Sequence, residues 1–532
     1  MNPSANGTVG SRRWWALGGV TLAVLAVSMD VTILSVALPT LSGALSASAS
    51  DLQWFSAGYA LVLAALMLPA GWLGDRVGRK RVLLGSLLLF AVGSAACAGA
   101  DSPAWFIAAR LVLGVGGAGV IVMAMSALMV LFDDDERPRA VAVWGAANLV
   151  AFPVGPILGG WLLSHAWWGW VFLLNVPVTV LGMLAVAAWV PESSAGRPPR
   201  LDGVGIVASS AGLAALTWGF IQVGQDGWRS VPAWALMAGG LLVLVGFGAW
   251  EVRLSRRGRQ PLVDPALFRS RLFTWGVTLF AVLTLALIGL IFALPQYFQA
   301  VLGTDPEGSG LRLLPLVGGL LVGLAPSRVL ATRLGIKLTV AAGFVVLGAG
   351  LALGATTTPA SGTGFAALWT AISGVGTGMV MATVAAAALA EISADRAGVG
   401  SAVLQAVKGV GAPLGAAVLG SVLAAGYRSR LDLASLPAPA ADAVRANVFA
   451  GLKVAHTLHD AALGQQVRAA FVHGVTGTLL ASLAVAVAGA LLALVFLPGR
   501  VAPAVAPEAD DDAGHAAAAV PGAGRGAAPE PL

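Results

Sequence analysis

Charged residues are scarce in this sequence, since Asp, Glu, Lys and Arg make up 11% of its 532 residues whereas an ordinary soluble domain has about 25%. Apolar residues make up 58%, and long runs such as 140 to 163 and 338 to 354 contain no charge. A hydrocarbon core ~30 Å thick needs roughly 20 such residues to cross it as a helix. The composition therefore excludes a soluble protein and predicts an all-α chain that crosses the membrane many times.

Cysteine and lysine are also rare. The only cysteine, Cys97, lies in an apolar run, which excludes an internal disulfide and predicts a small buried apolar side chain. Only four of the 31 basic residues are lysines, and this bias, with many Ala and Gly residues, favours a GC-rich actinobacterial genome. The net charge of +6 is dispersed between the apolar runs, so nucleic-acid binding is not indicated. No P-loop pattern is present, and no ATP-driven step is indicated.

Fourteen apolar runs predict fourteen transmembrane helices. They fall at 14 to 38, 52 to 73, 82 to 100, 104 to 131, 140 to 163, 169 to 190, 202 to 223, 231 to 250, 272 to 294, 308 to 327, 336 to 355, 364 to 389, 399 to 424 and 473 to 497. Arg12 and Arg13 precede the first run, as they would in a signal peptide. That run is long enough to span and many others follow, so we interpret it as an uncleaved helix.

The runs divide the chain into two six-helix bundles with a pair of helices between them. The segments are a cytoplasmic N-terminus 1 to 13, a first bundle 14 to 190, two inserted helices 202 to 250, a second bundle 272 to 497 containing a long extracellular loop 426 to 472, and a disordered cytoplasmic tail 501 to 532. Most Lys and Arg residues between the runs fall on one side, which predicts that both termini are cytoplasmic. The loop 426 to 472 carries five exceptions.

An internal duplication is indicated by one short pattern. The residues 76 to 80, Arg-Val-Gly-Arg-Lys, follow the second run, and residues 333 to 337, Arg-Leu-Gly-Ile-Lys, follow the second run of the last six. The spacing R-x-G-x-K is thus kept. Transporters built from two such halves place the substrate site at the interface of the halves, near the bilayer midplane.

The loop between the second and third runs carries an ordered string of glycines and charges, G-W-L-G-D-R-V-G-R-K-R at 71 to 81. Glycines permit a tight turn between helix ends, and Asp75 can lie at a helix terminus or pair with an arginine of a neighbouring span. A plain positive-inside loop would also explain the charges, but not their order. We therefore predict a cytoplasmic gate formed by Gly71, Gly74, Asp75, Arg76, Gly78, Arg79 and Lys80.

This string resembles the signature loop of the major facilitator superfamily almost letter for letter. Further motifs are similar to those of the fourteen-helix drug:proton antiporter branch of that family. They are D-V-T-I with V-A-L-P at 30 to 39, L-Q-W at 52 to 54 with Tyr59, A-R at 109 to 110 with G-x-G-G at 114 to 117, G-P-I-L-G-G at 155 to 160, and W-V-F with N-V-P at 170 to 177. The resemblance covers about 14 to 497 and is stronger in the first half.

Three departures from the family pattern concern the fine coupling chemistry and leave the fold unaffected. Leu113 stands where the family commonly has Gln, and Gly169 where it often has Arg between two tryptophans. The fourth run also lacks a proline that is frequent in the family.

Asp30 is the only acidic residue well inside a predicted span. An ionisable group in hydrocarbon costs ~2.5 to 3.5 kcal/mol on insertion scales, which makes it a functional candidate. Arg110 lies at a depth that agrees with that of Asp30 within roughly 3 Å, at 1.5 Å of rise per residue, so the two can pair. The pair can be purely structural, or Asp30 can exchange Arg110 for a proton and so couple proton movement to a shape change. We predict the coupling role.

Two other spans carry candidate residues. Pro153 and Pro156 interrupt the fifth span, where Gly155, Gly159 and Gly160 have small-xxx-small spacing; this pattern predicts a kinked, closely packed helix, and the family resemblance implies an antiporter signature. In the thirteenth span Lys408 can extend to the interface or face a cavity. Trp54 and Tyr59 are further candidate cavity residues.

The sequence predicts no metal site and no cofactor. His456, His459 and Asp460 have helical spacing and could be drawn as metal ligands. The two histidines have no third well-placed ligand, however, so we interpret these residues as solvated. The resemblance implies a proton-coupled transporter that exports small amphipathic compounds by alternating access in a bacterial plasma membrane, with protons, the substrate and the lipid bilayer as its partners. We expect a monomer. A proton-coupled importer of a small solute and a non-transporting membrane sensor are the alternatives, and a polytopic enzyme is disfavoured because no His or Ser cluster is present.

Overall fold

The structure is a computed structural model that describes residues 4–132, 136–194, 202–259, 261–390 and 397–498. Within these ranges the chain forms helices joined by short connections, and no strand is present. Most side chains on these helices are apolar. Each helix surface contacts either another helix or lipid, and neither environment solvates polar groups as water does.

The first half contains a bundle of long helices. They are α1 (Ser4–Ala44), α2 (Ala49–Val77), α3 (Arg79–Ala98), α4 (Pro103–Leu131), α5 (Arg137–His165), α6 (Trp170–Leu173) and α7 (Asn175–Trp189). The inserted pair follows as α8 (Gly203–Asp226) and α9 (Val231–Arg256). A 3-10 turn, Pro265–Arg269, leads from the inserted pair into the second half.

The second half begins with a 30-residue helix and ends with a 36-residue helix. Its helices are α10 (Arg271–Ala300), α11 (Pro306–Leu311), α12 (Leu314–Leu334), α13 (Ile336–Gly354), α14 (Thr363–Ala390), α15 (Ala397–Ser429), α16 (Ala438–Ala446), α17 (Val448–Thr457) and α18 (Ala461–Phe496).

Thirteen segments of the described chain are long and apolar enough to cross a membrane, with α6 and α7 counted as one segment and α11 and α12 as another. Their mean hydropathies range from 1.6 to 2.7. The remaining predicted span, 140 to 163, lies in α5, which is 29 residues long. An all-α polytopic membrane fold is therefore confirmed.

Two predicted segments have more structure than the sequence indicated. The sixth span, predicted as one helix, is interrupted at Leu174 between α6 and α7. The predicted loop 426 to 472 is shorter, because α15 continues to Ser429 and α18 begins at Ala461, and the short helices α16 and α17 lie between them. Tyr427 donates from its hydroxyl to the carbonyl of Val444 at 2.9 Å. This bond ties the connection to the end of α15.

The helix bundle has two ends, which we call the Gly78 end and the Ser46 end. The Gly78 end contains the junction between α2 and α3, and the Ser46 end contains the turn between α1 and α2. Gly78 and Gly335 occupy equivalent positions in the two halves, each between two long helices and each with positive φ, 117° and 85°. Other residues rarely adopt such φ values, which explains why glycine is repeated in the R-x-G-x-K pattern.

The inserted helix α8 packs against both halves. Trp218 on α8 lies edge-on to Trp54 on α2, with ring centroids 6.3 Å apart. On the other side, the hydroxyl of Ser421 on α15 donates to the carbonyl of Phe220 at 2.5 Å. The second inserted helix, α9, is peripheral, and it exposes large apolar side chains such as Leu242 and Val245. Such a face is suited to contact with lipid.

Candidate functional site

Asp30 and Arg110 form a buried ion pair inside the first half. Their exposed fractions are 2% and 1%, and Nη1 of Arg110 lies 2.5 Å from Oδ2 of Asp30. The same guanidinium donates from Nε to the carbonyl of Phe55 at 3.1 Å. The contact predicted from their matching depths is therefore present, and it joins α1, α2 and α4.

Asn175 is a third member of this site, which the sequence analysis missed. Its Nδ2 donates to Oδ1 of Asp30 at 3.3 Å and to the hydroxyl of Ser94 at 3.2 Å. It is the first residue of α7, directly after the interruption at Leu174, and is 3% exposed. The signal for it was the N-V-P motif, which we treated only as a family pattern. Five helices of the first half thus contribute to one polar centre.

Tyr59 lies against this centre and lines none of the cavities described below. Its ring faces the guanidinium of Arg110, with 4.3 Å between Cζ and the ring centroid. Its hydroxyl is buried and has no hydrogen-bond partner among the described residues. An arginine over an aromatic ring is held in position by cation–π attraction. Its ring thereby holds Arg110 in position beside Asp30.

The chemistry available here follows from the number of partners of Asp30. A buried carboxylate requires hydrogen-bond donors and an opposite charge, because desolvation disfavours the charged form. Asp30 receives one guanidinium and one amide. If it gains a proton, the attraction to Arg110 is lost and the guanidinium needs another partner. The ion pair is thus a direct attraction between α1 and α4 that exists only while Asp30 is ionised.

The loop between α2 and α3 forms a local charge network. Nη2 of Arg79 lies 2.9 Å from Oδ1 of Asp75, one helical turn away. Arg76 stacks over Trp72, with 5.3 Å between Cζ and the ring centroid. Lys80 donates from Nζ to the carbonyl of Ala187, at 2.7 Å, near the end of α7. These three contacts lie within the first half, and the pair of Asp75 and Arg79 joins the end of α2 to the start of α3.

Glu192 completes this network and was not predicted. Its Oε1 accepts from the backbone N–H of Lys80 at 3.1 Å, and its Oε2 lies 3.5 Å from Nε of Arg81. A carboxylate beside the N–H groups that begin a helix is stabilised by the helix dipole. A Cβ on Gly78 would lie 2.5 Å from Oε1 of Glu192, so this contact also requires glycine at the junction. In the sequence, the only sign of this contact is that an acidic residue, Glu192 itself, follows the sixth predicted span.

The fifth helix packs where the two halves meet at the Ser46 end. Gly155 lies against Thr32 of α1, and Gly159 lies against Ile33. At Gly160 the backbone of Pro306 in α11 is so close that a Cβ would lie 2.5 Å from its carbonyl oxygen. The interior prolines Pro153 and Pro156 lie in the same helix. The glycines therefore allow close packing, within the first half at Gly155 and Gly159 and between the halves at Gly160.

Other bonds join the halves at the same end. Nε2 of Gln299 in α10 donates to the carbonyl of Val36 at 3.0 Å. Nδ2 of Asn447, at the start of α17, donates to the carbonyl of Ala47 at 2.6 Å. The backbone N–H of Glu307 lies 3.3 Å from the hydroxyl of Ser164. Together with the Gly160 contact, these bonds hold the Ser46 end closed.

A cavity of about 260 Å³ opens between α1 and α5 towards the Gly78 end. It is lined by Trp14, Leu17, Gly18, Thr21, Leu22, Leu25 and Val143, almost all of them apolar. Its volume is just under the ~300 Å³ at which small-molecule sites begin. Trp54 is in contact with α8 and is not among its lining residues. Lys408 lies in α15, but its side chain is outside the described part of the chain.

The described part of the chain is thus a polytopic helical membrane protein that buries an ion pair among its helices. The chain belongs to the Major Facilitator Superfamily, whose sequence profile matches residues 20–416. The predicted family is thereby confirmed.

Relatives and solved structures agree with this assignment. The tetracenomycin C resistance and export protein of Streptomyces glaucescens is 33% identical over 414 residues, 78% of this chain and 76% of that protein. The multidrug efflux pump LfrA of Mycolicibacterium smegmatis is 32% identical over 502 residues, 91% and 97% of the two chains.

Among solved structures, a bacterial homologue of the human lysosomal transporter Spinster has a TM-score of 0.64 at 17% identity, covering 93% of this chain and 99% of the other. A D-xylose–proton symporter has a TM-score of 0.57 at 15% identity, covering 91% and 98%. These similarities show the fold.

Proposed function

We propose that the protein exports small amphipathic compounds across the bacterial plasma membrane in exchange for protons, by alternating access. The observation that carries the proposal is the buried pair of Asp30 and Arg110 with Asn175. Relatives named as export and efflux proteins support the direction of transport.

The cycle uses the two ends of the bundle alternately. In the orientation that the Lys and Arg residues favour, the Ser46 end is extracellular and the Gly78 end cytoplasmic. The contacts at Gly160, Gln299 and Asn447 then close the outer end. A proton that reaches Asp30 releases Arg110, and α1 and α4 shift relative to each other. Because α1 packs on α5, and α5 contacts α11 of the second half at Gly160, this shift biases which end opens.

The apolar lining of the cavity along α1 supports an amphipathic substrate class, although this cavity lies within the first half and not at the interface of the halves. Trp14 and the leucines there offer an apolar surface, with the hydroxyl of Thr21 as a polar group that has no hydrogen-bond partner in the described chain. An apolar wall with a single hydrogen-bonding group accepts compounds that have an apolar body and a polar edge. The charge network around Asp75, Arg79 and Glu192 would hold the cytoplasmic ends of α2, α3 and α7 together as one gate element.

The test is efflux from proteoliposomes with an imposed pH gradient. Asp30→Asn keeps the size of the side chain but cannot carry a proton reversibly, so we expect it to abolish uphill export while substrate still binds. Arg110→Ala should damage coupling similarly, and it should also destabilise the protein by about 3 to 5 kcal/mol because it leaves a buried charge unpaired. Asp442→Asn is the matched control, since Asp442 is an exposed carboxylate on α16.

Three outcomes would contradict the proposal. Uphill export by Asp30→Asn at matched reconstitution would mean that the proton is carried elsewhere. Proton-driven accumulation in the opposite direction would identify an importer. Absence of flux for every compound in a panel that inhibits growth of a sensitive host, with binding retained, would favour a sensor.

A further inference from the structure

Two buried carboxyl groups lie next to each other outside the site described above, at the Gly78 end of the inserted helices. Asp202 precedes the first residue of α8 and is 8% exposed, and Glu251 lies in the last turns of α9 and is 4% exposed. The apolar pattern predicts that the eighth span ends at 250, and Asp30 is then the only acidic residue well inside a predicted span. Because α9 continues to Arg256, Glu251 lies inside the helix.

Most oxygen atoms of this pair have conventional donors. Oδ1 of Asp202 accepts from the backbone N–H of Gly205 at 3.0 Å, and Nε1 of Trp250 donates to the same carboxyl group at 3.0 Å. Oε2 of Glu251 accepts from the backbone N–H of Val263 at 2.9 Å. The two acids thus connect the start of α8, the end of α9 and the segment that leads into α10.

One oxygen atom is left over, and it points at the other acid. Oε1 of Glu251 is buried and receives no N–H or O–H donor from the described residues. It converges with Oδ2 of Asp202, since a Cβ on Gly205 would lie 2.7 Å from the first atom and 2.1 Å from the second. Two buried carboxyl groups this close to each other can form a hydrogen bond only when one of them carries a proton.

No positive charge in the described chain neutralises the pair. The charged side chains of the adjoining described elements at this end are Arg253 and Arg256 on α9, Arg257 and Arg259 directly after it, Asp264 and Arg269 in the following segment, Arg271 at the start of α10, and Asp75 and Arg76 on α2, while Asp226 lies at the far end of α8. Neither Asp202 nor Glu251 forms an ion pair with any of them. Two carboxylates in contact cannot both remain ionised without compensation, as paired carboxyl sites illustrate.

We propose that Asp202 and Glu251 form a second proton-binding site, which holds one shared proton at neutral pH. The proton closes α8, α9 and the segment around Val263 into one unit at the cytoplasmic end. Its release to water would leave two adjacent negative charges and separate these three elements. Because α8 packs on α2 and α15, cytoplasmic pH would thereby act on the coupling between the halves. The binding of this proton does not depend on the proposed export activity.

The first experiment detects the proton directly in the full-length protein in lipid nanodiscs. Infrared spectra at pH 7 should show the carbonyl stretch of one protonated carboxyl group that is present in the wild type and absent in Glu251→Gln. In this variant the amide oxygen can accept from Val263 and the amide N–H can donate to Asp202, so the fold should be kept. The same difference should appear in an Asp30→Asn background, which separates this site from the proposed coupling site. Identical carboxyl bands in wild type and Glu251→Gln would overturn the proposal.

The second experiment uses linkage between protonation and stability. The folded wild type holds one proton that the unfolded chain releases at about pH 4 to 5, so its stability should fall as pH rises from there until the folded protein also releases that proton, and should be flat above it. Glu251→Gln should lack this fall, and Asp202→Asn, which also supplies an amide donor, should lack it too. Asp226→Asn, at the other end of α8, should behave as wild type. Equal slopes of stability against pH in all four proteins would contradict the site.

A bound cation is the competing explanation for two adjacent carboxylates. If Na⁺ or Mg²⁺ raised the melting temperature of the wild type but not that of Glu251→Gln, both acids would be ionised around a metal ion. That result would also overturn the shared proton.

Discussion

The two halves have the same backbone at Gly78 and Gly335 but differ in their charges. In both halves a glycine with positive φ separates two long helices. In the first half the junction is surrounded by the network of Asp75, Arg79 and Glu192. In the second half Thr332 stands where the first has Asp75, and its hydroxyl donates to the carbonyl of Val329.

The interiors of the halves differ in the same way. The first half buries Asp30 and Arg110, whereas the buried polar side chains in the described part of the second half are all uncharged. A duplicated fold therefore keeps its turn geometry, because backbone sterics leave few alternatives, while its charges diverge. Of the two halves, the first therefore contains the buried charges and the loop network, whereas the described part of the second presents mainly apolar and neutral polar side chains to its interior.

The strongest test of this asymmetry is a pair of matched substitutions. Asp75→Asn should insert normally but lose most transport, about tenfold or more, because Arg79 is no longer fixed at the start of α3; tenfold corresponds to ~1.4 kcal/mol of barrier. Thr332→Asn, at the equivalent position of the second half, should retain wild-type efflux. Efflux from cells at equal expression gives the comparison, and equal activity of the two variants would reduce the first loop to a topology signal.

Alanine at the two junction glycines should separate backbone strain from the charge network. Each substitution places a side chain at a positive φ, which costs on the order of 1 to 3 kcal/mol. Gly78→Ala should lower the melting temperature further than Gly335→Ala, because its Cβ also collides with Glu192. Thermal unfolding in detergent measures the difference. A larger loss at Gly335 would show that the Glu192 contact does not constrain the first junction.

The smallest effect is expected for Glu192→Gln. The amide oxygen can still accept from the N–H of Lys80, and only the exposed interaction with Arg81 is lost, which is worth less than about 1 kcal/mol. Efflux should therefore stay within about twofold of the wild type, and the residual difference should vanish at high salt because exposed charges are screened. A loss as severe as that of Asp75→Asn would mean that the charge of Glu192, and not its hydrogen bonds, holds the gate element.

The sequence predicted those features of the site that depend on rare residues. An acid and an arginine at equal depth in apolar helices have few alternatives to pairing, so Asp30 and Arg110 were found from position alone. Asn175 was missed because a neutral amide near a helix start has no such signature. The contact between Tyr59 and Arg110 was also missed, because the sequence does not state which face of α2 meets α4.

Helix boundaries limited the remaining predictions. Ending α9 at 250 instead of 256 concealed Glu251, and treating 426 to 472 as a loop concealed α16 and α17. In both places charged or polar residues interrupt the apolar pattern on which the boundaries were based, although the helices continue. Long-range contacts such as that between Asn447 and Ala47 span 400 residues, and no local pattern contains them.

The hydrogen bond between Asn447 and Ala47 has a consequence for inhibition of the protein. It is made by a short helical cap that, in the proposed orientation, faces the outside of the cell. A binder that fastens α16 and α17 over the turn at Ser46 would keep the exit shut from the extracellular medium. Such an inhibitor would not need to cross the membrane, and it would not compete with the exported compound. Because it acts from outside, the cell could not escape it by exporting the inhibitor.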